Sequence, residues 1–216
     1  MQDQASTRLS PPNRLRRQRG YSVVELSIAL SIIAILTVAG LAGVQTVLNT
    51  NKSNNQIEQS GQSITKLSST FQGQTSTANA TNAVGVGLGI WPTGRVTGAG
   101  LTTAITNLFG GNEFIASNAA GIGTAPNTVA ANGGIIYYLT GVPKSACSDL
   151  ANALSPLVSL VAAGTATTAV TAAPTAIPAG LVTVKNIGDG SINAVNLGTA
   201  CNTAAASLDL AFLIKP

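Results

Sequence analysis

The sequence predicts an α+β protein in which one long N-terminal α-helix packs on an antiparallel β-sheet head. Three observations predict it. An uncharged apolar run from Leu26 to Leu48 continues without a strong breaker into a helical stripe that reaches Phe71. From Gly73 onward the composition turns to Gly, Ala, Thr and Asn with short β-branched runs, the pattern of strands joined by turns. The only two cysteines, Cys147 and Cys201, both lie in that second part. A sheet with a helix on one face buries the apolar surfaces of both.

The first twenty residues carry five arginines (Arg8, Arg14, Arg16, Arg17 and Arg19) against Asp3. Six basic and six acidic residues follow, so the whole formal charge of +4 belongs to this polar, Pro-containing stretch. It reads as targeting sequence. The basic pI of about 9.4 is therefore no sign of a nucleic-acid surface.

The run Leu26–Leu48 has 23 residues, enough to cross an apolar bilayer core of about 30 Å at about 1.5 Å per residue. A secretory signal has a shorter apolar region, with its small-residue cleavage site after it. Here Gly20 comes before. Arginines preceding the run place the N-terminus in the cytoplasm and the rest of the chain outside the membrane. Glu25 stands near the start of the helix, where a carboxylate either snorkels to the headgroups or needs a cation. Taken alone, the helix pattern leaves both open.

The junction Arg17-Gln18-Arg19-Gly20 followed by Tyr21-Ser22-Val23-Val24-Glu25-Leu26 resembles the type III signal of type IV prepilins, and the resemblance extends over residues 14–48. It implies that a membrane prepilin peptidase cuts after Gly20 and methylates Tyr21, and that Glu25 is the assembly carboxylate. In a dry bundle an unpaired charge is strongly disfavoured. The new amine of Tyr21 and the Glu25 of a neighbouring subunit would neutralise one another and set the axial register. The chain departs from the family pattern in starting its mature part with Tyr rather than Phe or Met, and in lacking a mid-helix proline. Gly40 and Gly43 are the weak points instead, at about 1 kcal/mol each relative to Ala. With Ala34, Ala39 and Ala42 they permit close helix approach.

Beyond the apolar run, Ile57, Ile64 and Phe71 recur every seven residues with Leu67 beside them. The stripe extends the helix from Ser22 to about Phe71, roughly 75 Å. Gly85, Gly87 and Gly89 read as a loop, because neither a Lys-Ser/Thr nor a strand-to-helix context makes them a phosphate cradle. Trp91 beside Pro92 reads as a loop anchor in the core rather than a stacking surface with Arg95. Gly133–Thr140 is a strand ended by Val142-Pro143, and Ser145 is expected to cap a helix bearing Cys147, Leu150, Ala151, Leu154 and Leu157, with Pro156 at its end or in a break. Gly164–Pro178 is expected to be an exposed loop. Leu181–Val184 and Ser191–Leu197 are short strand candidates, and Ser207–Ile214 is the terminal strand. Asn186, Asp189, Ser191 and Asn193 read as a Gly-rich hairpin turn, since calcium needs more carboxylates than one.

The order of strand, Val142-Pro143 turn, cysteine-bearing helix and second cysteine near the terminal strand resembles the type IVb pilins, including thin-pilus subunits of conjugative plasmids, over residues 133–216. The implied architecture is the pilin ladle with a C-terminal disulfide-bounded region. On the oxidising side of the membrane Cys147 and Cys201 are expected to pair, with two unpaired buried thiols as the alternative. Closing their 53-residue loop would add roughly 3–5 kcal/mol on the entropic model.

The expected organisation is a cleaved leader (1–20), a transmembrane and filament-core half of the helix (21–48), a head-packed half (49–72) and a globular α+β head (73–216). There is no histidine, and no carboxylate pair, activated serine or metal cluster emerges. Neither catalysis, a metal nor another cofactor is expected. The chain is expected to be the major subunit of a type IVb pilus, held in the bacterial inner membrane as a precursor and then in the extracellular fimbrium. The resemblance implies a homo-oligomeric helical filament, prepilin peptidase, an assembly ATPase, a platform protein and a secretin as partners. A minor pilin, a type II secretion pseudopilin and an uncleaved single-span periplasmic anchor are the alternatives. No residue pattern assigns a task downstream of assembly, such as attachment, motility, mating or DNA uptake.

Overall fold

The computed structural model describes residues 22–98 and 103–216. The chain divides into two compact units, 1–45 and 46–216. One helix, α1 (Val23–Phe71), has 49 residues and no interruption. Its bounds fall within a residue of those expected from the stripe. In the second unit Ile64, Leu67 and Phe71 are buried and Ile57 partly so. Ser53, Gln56, Ser60 and Ser63 are buried with them. These spacings of three and four residues put the serines and the glutamine on one helical face. The helix thus buries a polar row as well as an apolar one.

The other elements are α2 (Asn82–Gly87), β1 (Val96–Thr97), β2 (Ala104–Thr106), β3 (Asn112–Ser117), β4 (Ile122–Thr124), β5 (Asn127–Val129), β6 (Ile135–Pro143), α3 (Lys144–Leu154), β7 (Leu160–Gly164), β8 (Leu181–Lys185), α4 (Ala194–Cys201) and β9 (Ser207–Ile214). Seven strands form one antiparallel sheet in the order β1-β2-β3-β6-β9-β7-β8, and β4 with β5 makes a separate hairpin. The terminal strand β9 has the expected bounds.

Strand alternation sorts the sheet's side chains into two cores. Ile135, Tyr137 and Leu139 of β6, with Leu210 and Phe212 of β9, face the helix side and pack with Ile64, Leu67 and Phe71. Tyr137 and Phe212 are register partners with ring centroids 6.3 Å apart. Ile136 and Tyr138, with Ala211 and Leu213, face the other way into a second core. Val129 of the hairpin and Val170, Ala173 and Ile177 from the Thr/Ala/Pro-rich stretch cover that face. The stretch is the loop expected, exposed along most of its length, and it acts as a strap where Val170, Ala173 and Ile177 lie partly buried against this face. A sheet apolar on both faces needs cover on both.

Three local expectations are corrected. Ser191–Leu197 is not a strand: Asn193 caps α4, its Oδ1 accepting from the amides of Val195 at 3.0 Å and Asn196 at 3.1 Å. The asparagine cap outweighs the short alternation. Ser145 does not cap α3, which starts at Lys144 after Pro143 without a side-chain cap; the fixed φ of proline prepares the turn instead. Gly85 and Gly87 are helical, within α2, whose cap Thr81 accepts from Val84 N at 3.3 Å. Pro156 sits in a separate 3-10 turn, Ser155–Leu157, beyond α3. At the β8 edge, α4 and its cap bind two carbonyls: Asn196 Nδ2 donates to Thr183 at 3.1 Å and Asn193 N to Val184 at 2.7 Å.

Candidate functional site

Gly20 and Tyr21, the expected cleavage junction, lie outside the described residues. Glu25 stands exposed in the first turn of α1, where the partial positive charge of a helix N-terminus favours an acid. Every large apolar side chain from Val23 to Leu48 is more than half exposed, from 83% at Val23 down to 54% at Ile32 and Leu48. The apolar side chains surround the helix, the pattern of a helix meant for an apolar surrounding. By length and composition it can cross a membrane. Its hydroxyls suit that setting. Ser27, Ser31 and Thr37 donate back to the carbonyls of Val24, Ser27 and Ile33 at 2.8, 2.8 and 2.7 Å, leaving no free hydroxyl proton at those positions. Ala34, Ala39, Gly40 and Gly43 are exposed along the same segment, and a Cβ at either glycine would meet nothing within 4 Å. The side chain of Ala42 is outside the described set.

Cys147, on α3, and Cys201, at the end of α4, are disulfide-bonded with Cα atoms 5.7 Å apart. The bond ties the helix that follows β6 to the helix that precedes β9.

A feature that the sequence did not reveal holds α1 on the sheet. The carboxylate of Glu113, on β3, is fully buried. It accepts from the Trp91 indole at 2.6 Å, from the Tyr137 hydroxyl, from the Arg95 guanidinium and, at 3.4 Å, from Gln56 Nε2 of α1. Gln56 also donates to Ser60 Oγ at 2.8 Å and accepts from Leu108 N at 2.9 Å. Arg95 donates onward to the Thr106 carbonyl at 2.7 Å and to Gln59. Burial, and then the adjacent Glu113 carboxylate, pushes the Tyr137 hydroxyl well above the usual tyrosine range. Gly85 makes room for Trp91: a Cβ there would sit 2.5 Å from the indole ring and 2.7 Å from Ile115. Trp91 is thus the core anchor that its Trp-Pro context suggested. An acid immediately before Phe114-Ile115 was the available hint for Glu113.

The Asn186–Asn193 segment spends its polar groups locally. Asp189 accepts from Asn186 N and Nδ2 at 3.1 and 3.2 Å, and Asn193 caps α4. Among the described residues, no group of three or more His, Cys, Asp or Glu side chains could hold a metal ion.

The family described as the prokaryotic N-terminal methylation motif matches residues 15–41, a span that includes Gly20, Tyr21 and Glu25. Among solved structures, the type IVb pilin of Salmonella typhi is similar at 13% identity and a TM-score of 0.47, with 74% of this chain and 97% of that one covered. TcpA, a type IV pilin from the Vibrio cholerae El Tor biotype, is similar at 17% identity and a TM-score of 0.46, with 74% and 98% covered. No curated protein sequence matches the chain.

Proposed function

We propose that the chain is a type IV prepilin of the IVb class, and that its function is assembly. The observation that carries this reading is the methylation motif at 15–41, on a helix whose apolar side chains from Val23 to Leu48 stay more than half exposed in the chain itself. Such a helix requires lipid or other copies of itself around it. Cleavage after Gly20 discards the basic leader. Methylated Tyr21 then presents a cation beside an apolar helix, and Glu25 of the next subunit neutralises it as helices bundle into the filament core. Residues 49–72 and 73–216 form the head, joined to its neighbours by a repeated head-to-tail contact that generates an open helix. The major subunit of a surface filament is the role that fits best. The partners are prepilin peptidase and the ATPase, platform and secretin of the assembly machinery. The chain passes from the inner membrane to the extracellular fimbrium.

Two measurements test this. Mass spectrometry of membrane-extracted protein is expected to find methylated Tyr21 as the N-terminus. An intact leader in peptidase-positive cells would favour an uncleaved membrane anchor. Sheared surface filaments are expected to contain this chain as the dominant subunit, and its presence only in trace would make it a minor pilin or pseudopilin.

A further inference from the structure

We infer that the base of the head holds a zwitterionic phospholipid headgroup, with its phosphate in a cleft between α1 and the start of α3 and its ammonium at Asp149. The inference rests on the proposal that residues 21–48 span a membrane before assembly. The cleft, of about 180 Å³, is lined by Thr46, Asn49, Thr50 and Ser53 of α1 and by Ser145, Ala146 and Asp149 of α3. Ser53 is 95% buried, yet its hydroxyl has no hydrogen-bond partner. A buried hydroxyl without a partner is costly, which points to an occupant that accepts its proton.

The opposite wall supplies further donors. The first amides of an α-helix have no intrahelical acceptor, and no side chain caps those of α3. Ser145 and Ala146 belong to that first turn and line the cleft. Aligned peptide dipoles add partial positive charge there, so the site suits a phosphate. Asp149 is exposed at the rim. Its carboxylate would repel a purely anionic ligand and attract one that also carries an ammonium. Depth agrees. Ser53 follows Leu48, the last residue of the apolar run, by five residues, or about 7.5 Å along the helix, the thickness of one headgroup layer.

The test uses the full chain, purified in detergent and mixed with equal amounts of phosphatidylethanolamine and phosphatidylglycerol, with retained lipid read by native mass spectrometry. The unaltered chain is expected to keep one phosphatidylethanolamine in preference to phosphatidylglycerol. Ser53→Leu fills the cleft and is expected to lower retention about tenfold, the scale of one hydrogen bond to a charged group. Asp149→Asn, a surface change that leaves the fold intact, is expected to level the two lipids. Equal retention with the same ratio in all three proteins would overturn the site. Phosphorus NMR titration with inorganic phosphate separates the sources: saturable phosphate binding that Ser53→Leu removes, without lipid retention, would overturn the lipid as occupant. Carbonate extraction of membranes keeps the underlying proposal distinct. A chain released by carbonate contradicts the membrane span, whereas one that stays behind without headgroup preference contradicts this site alone.

Discussion

The Tyr137 hydroxyl donates to the Glu113 carboxylate under α1. Its neighbour Tyr138 points to the opposite sheet face, where its buried hydroxyl makes no close hydrogen bond but lies near enough to Asp209 to feel its carboxylate. One phenol completes a charged network that includes Gln56 of the helix; the other has only Asp209 nearby, without a close hydrogen bond. The two positions should respond differently to loss of that oxygen.

Tyr137→Phe is expected to cost about 1.5–3 kcal/mol, the scale of a hydrogen bond to a charged group left unmade. Tyr138→Phe is expected to cost less than about 1 kcal/mol, because the hydroxyl it removes makes no close hydrogen bond and has only Asp209 nearby. Urea unfolding of the detergent-solubilised chain, followed by near-UV circular dichroism, measures both.

Alkali should weaken the head. Burial first, and then Glu113, raises the Tyr137 hydroxyl above the ordinary tyrosine value of 10.0; burial and then Asp209 raise that of Tyr138. The native state therefore keeps protons that the unfolded state loses above about pH 10. Stability is constant with respect to these groups below that pH and falls above it, by up to about 1.4 kcal/mol per pH unit for each tyrosine. The urea midpoint between about pH 9 and pH 11.5 measures the slope, and Tyr137→Phe is expected to reduce it.

Gly85→Ala is expected to destabilise the head by about 1–3 kcal/mol, the cost of overpacking. A methyl there would stand 2.5 Å from the Trp91 ring. Because Trp91 donates to Glu113, its fluorescence should shift as the indole is displaced. Gly87→Ala, where nothing lies within 4 Å of a new Cβ, is the control: it should leave the Trp91 fluorescence unchanged and cost no stability.

Glu25→Ala is expected to leave leader removal intact and to reduce the yield of sheared filaments by an order of magnitude or more, about 1.4 kcal/mol at each contact between subunits. Filaments formed in ordinary amounts would exclude pairing between Glu25 and the Tyr21 amine as the source of register.

The long helix and the central strands were legible because a single pattern governs each: unbroken apolarity and a seven-residue stripe in α1, β-branched and aromatic alternation in β6 and β9. The disulfide was legible from compartment and order. Strand β3 was harder to read, since Glu113 and Ser117 are buried polar residues whose partners are distant along the chain: Gln56, Trp91 and Arg95 for Glu113, Thr77 and Asn132 for Ser117. The strap over the second sheet face had the composition of a loop, and only the far side of β6 and β9 gives Val170 and Ile177 something to cover. For the same reason the polar row on α1 reads as solvent-facing until β3 supplies its partner. At Asn193, a local cap decided against a strand that alternation had suggested.

The blocked edge at β8 has a consequence for crowding. A chain displayed at high density beside its own copies risks zipping strand to strand into amyloid-like stacks wherever a sheet margin lies bare. Among the described residues, one margin here is the two-residue strand Val96–Thr97. At the other, the carbonyls of Thr183 and Val184 accept from Asn196 and Asn193. Among the described residues neither border offers a long template, which disfavours aggregation through the sheet.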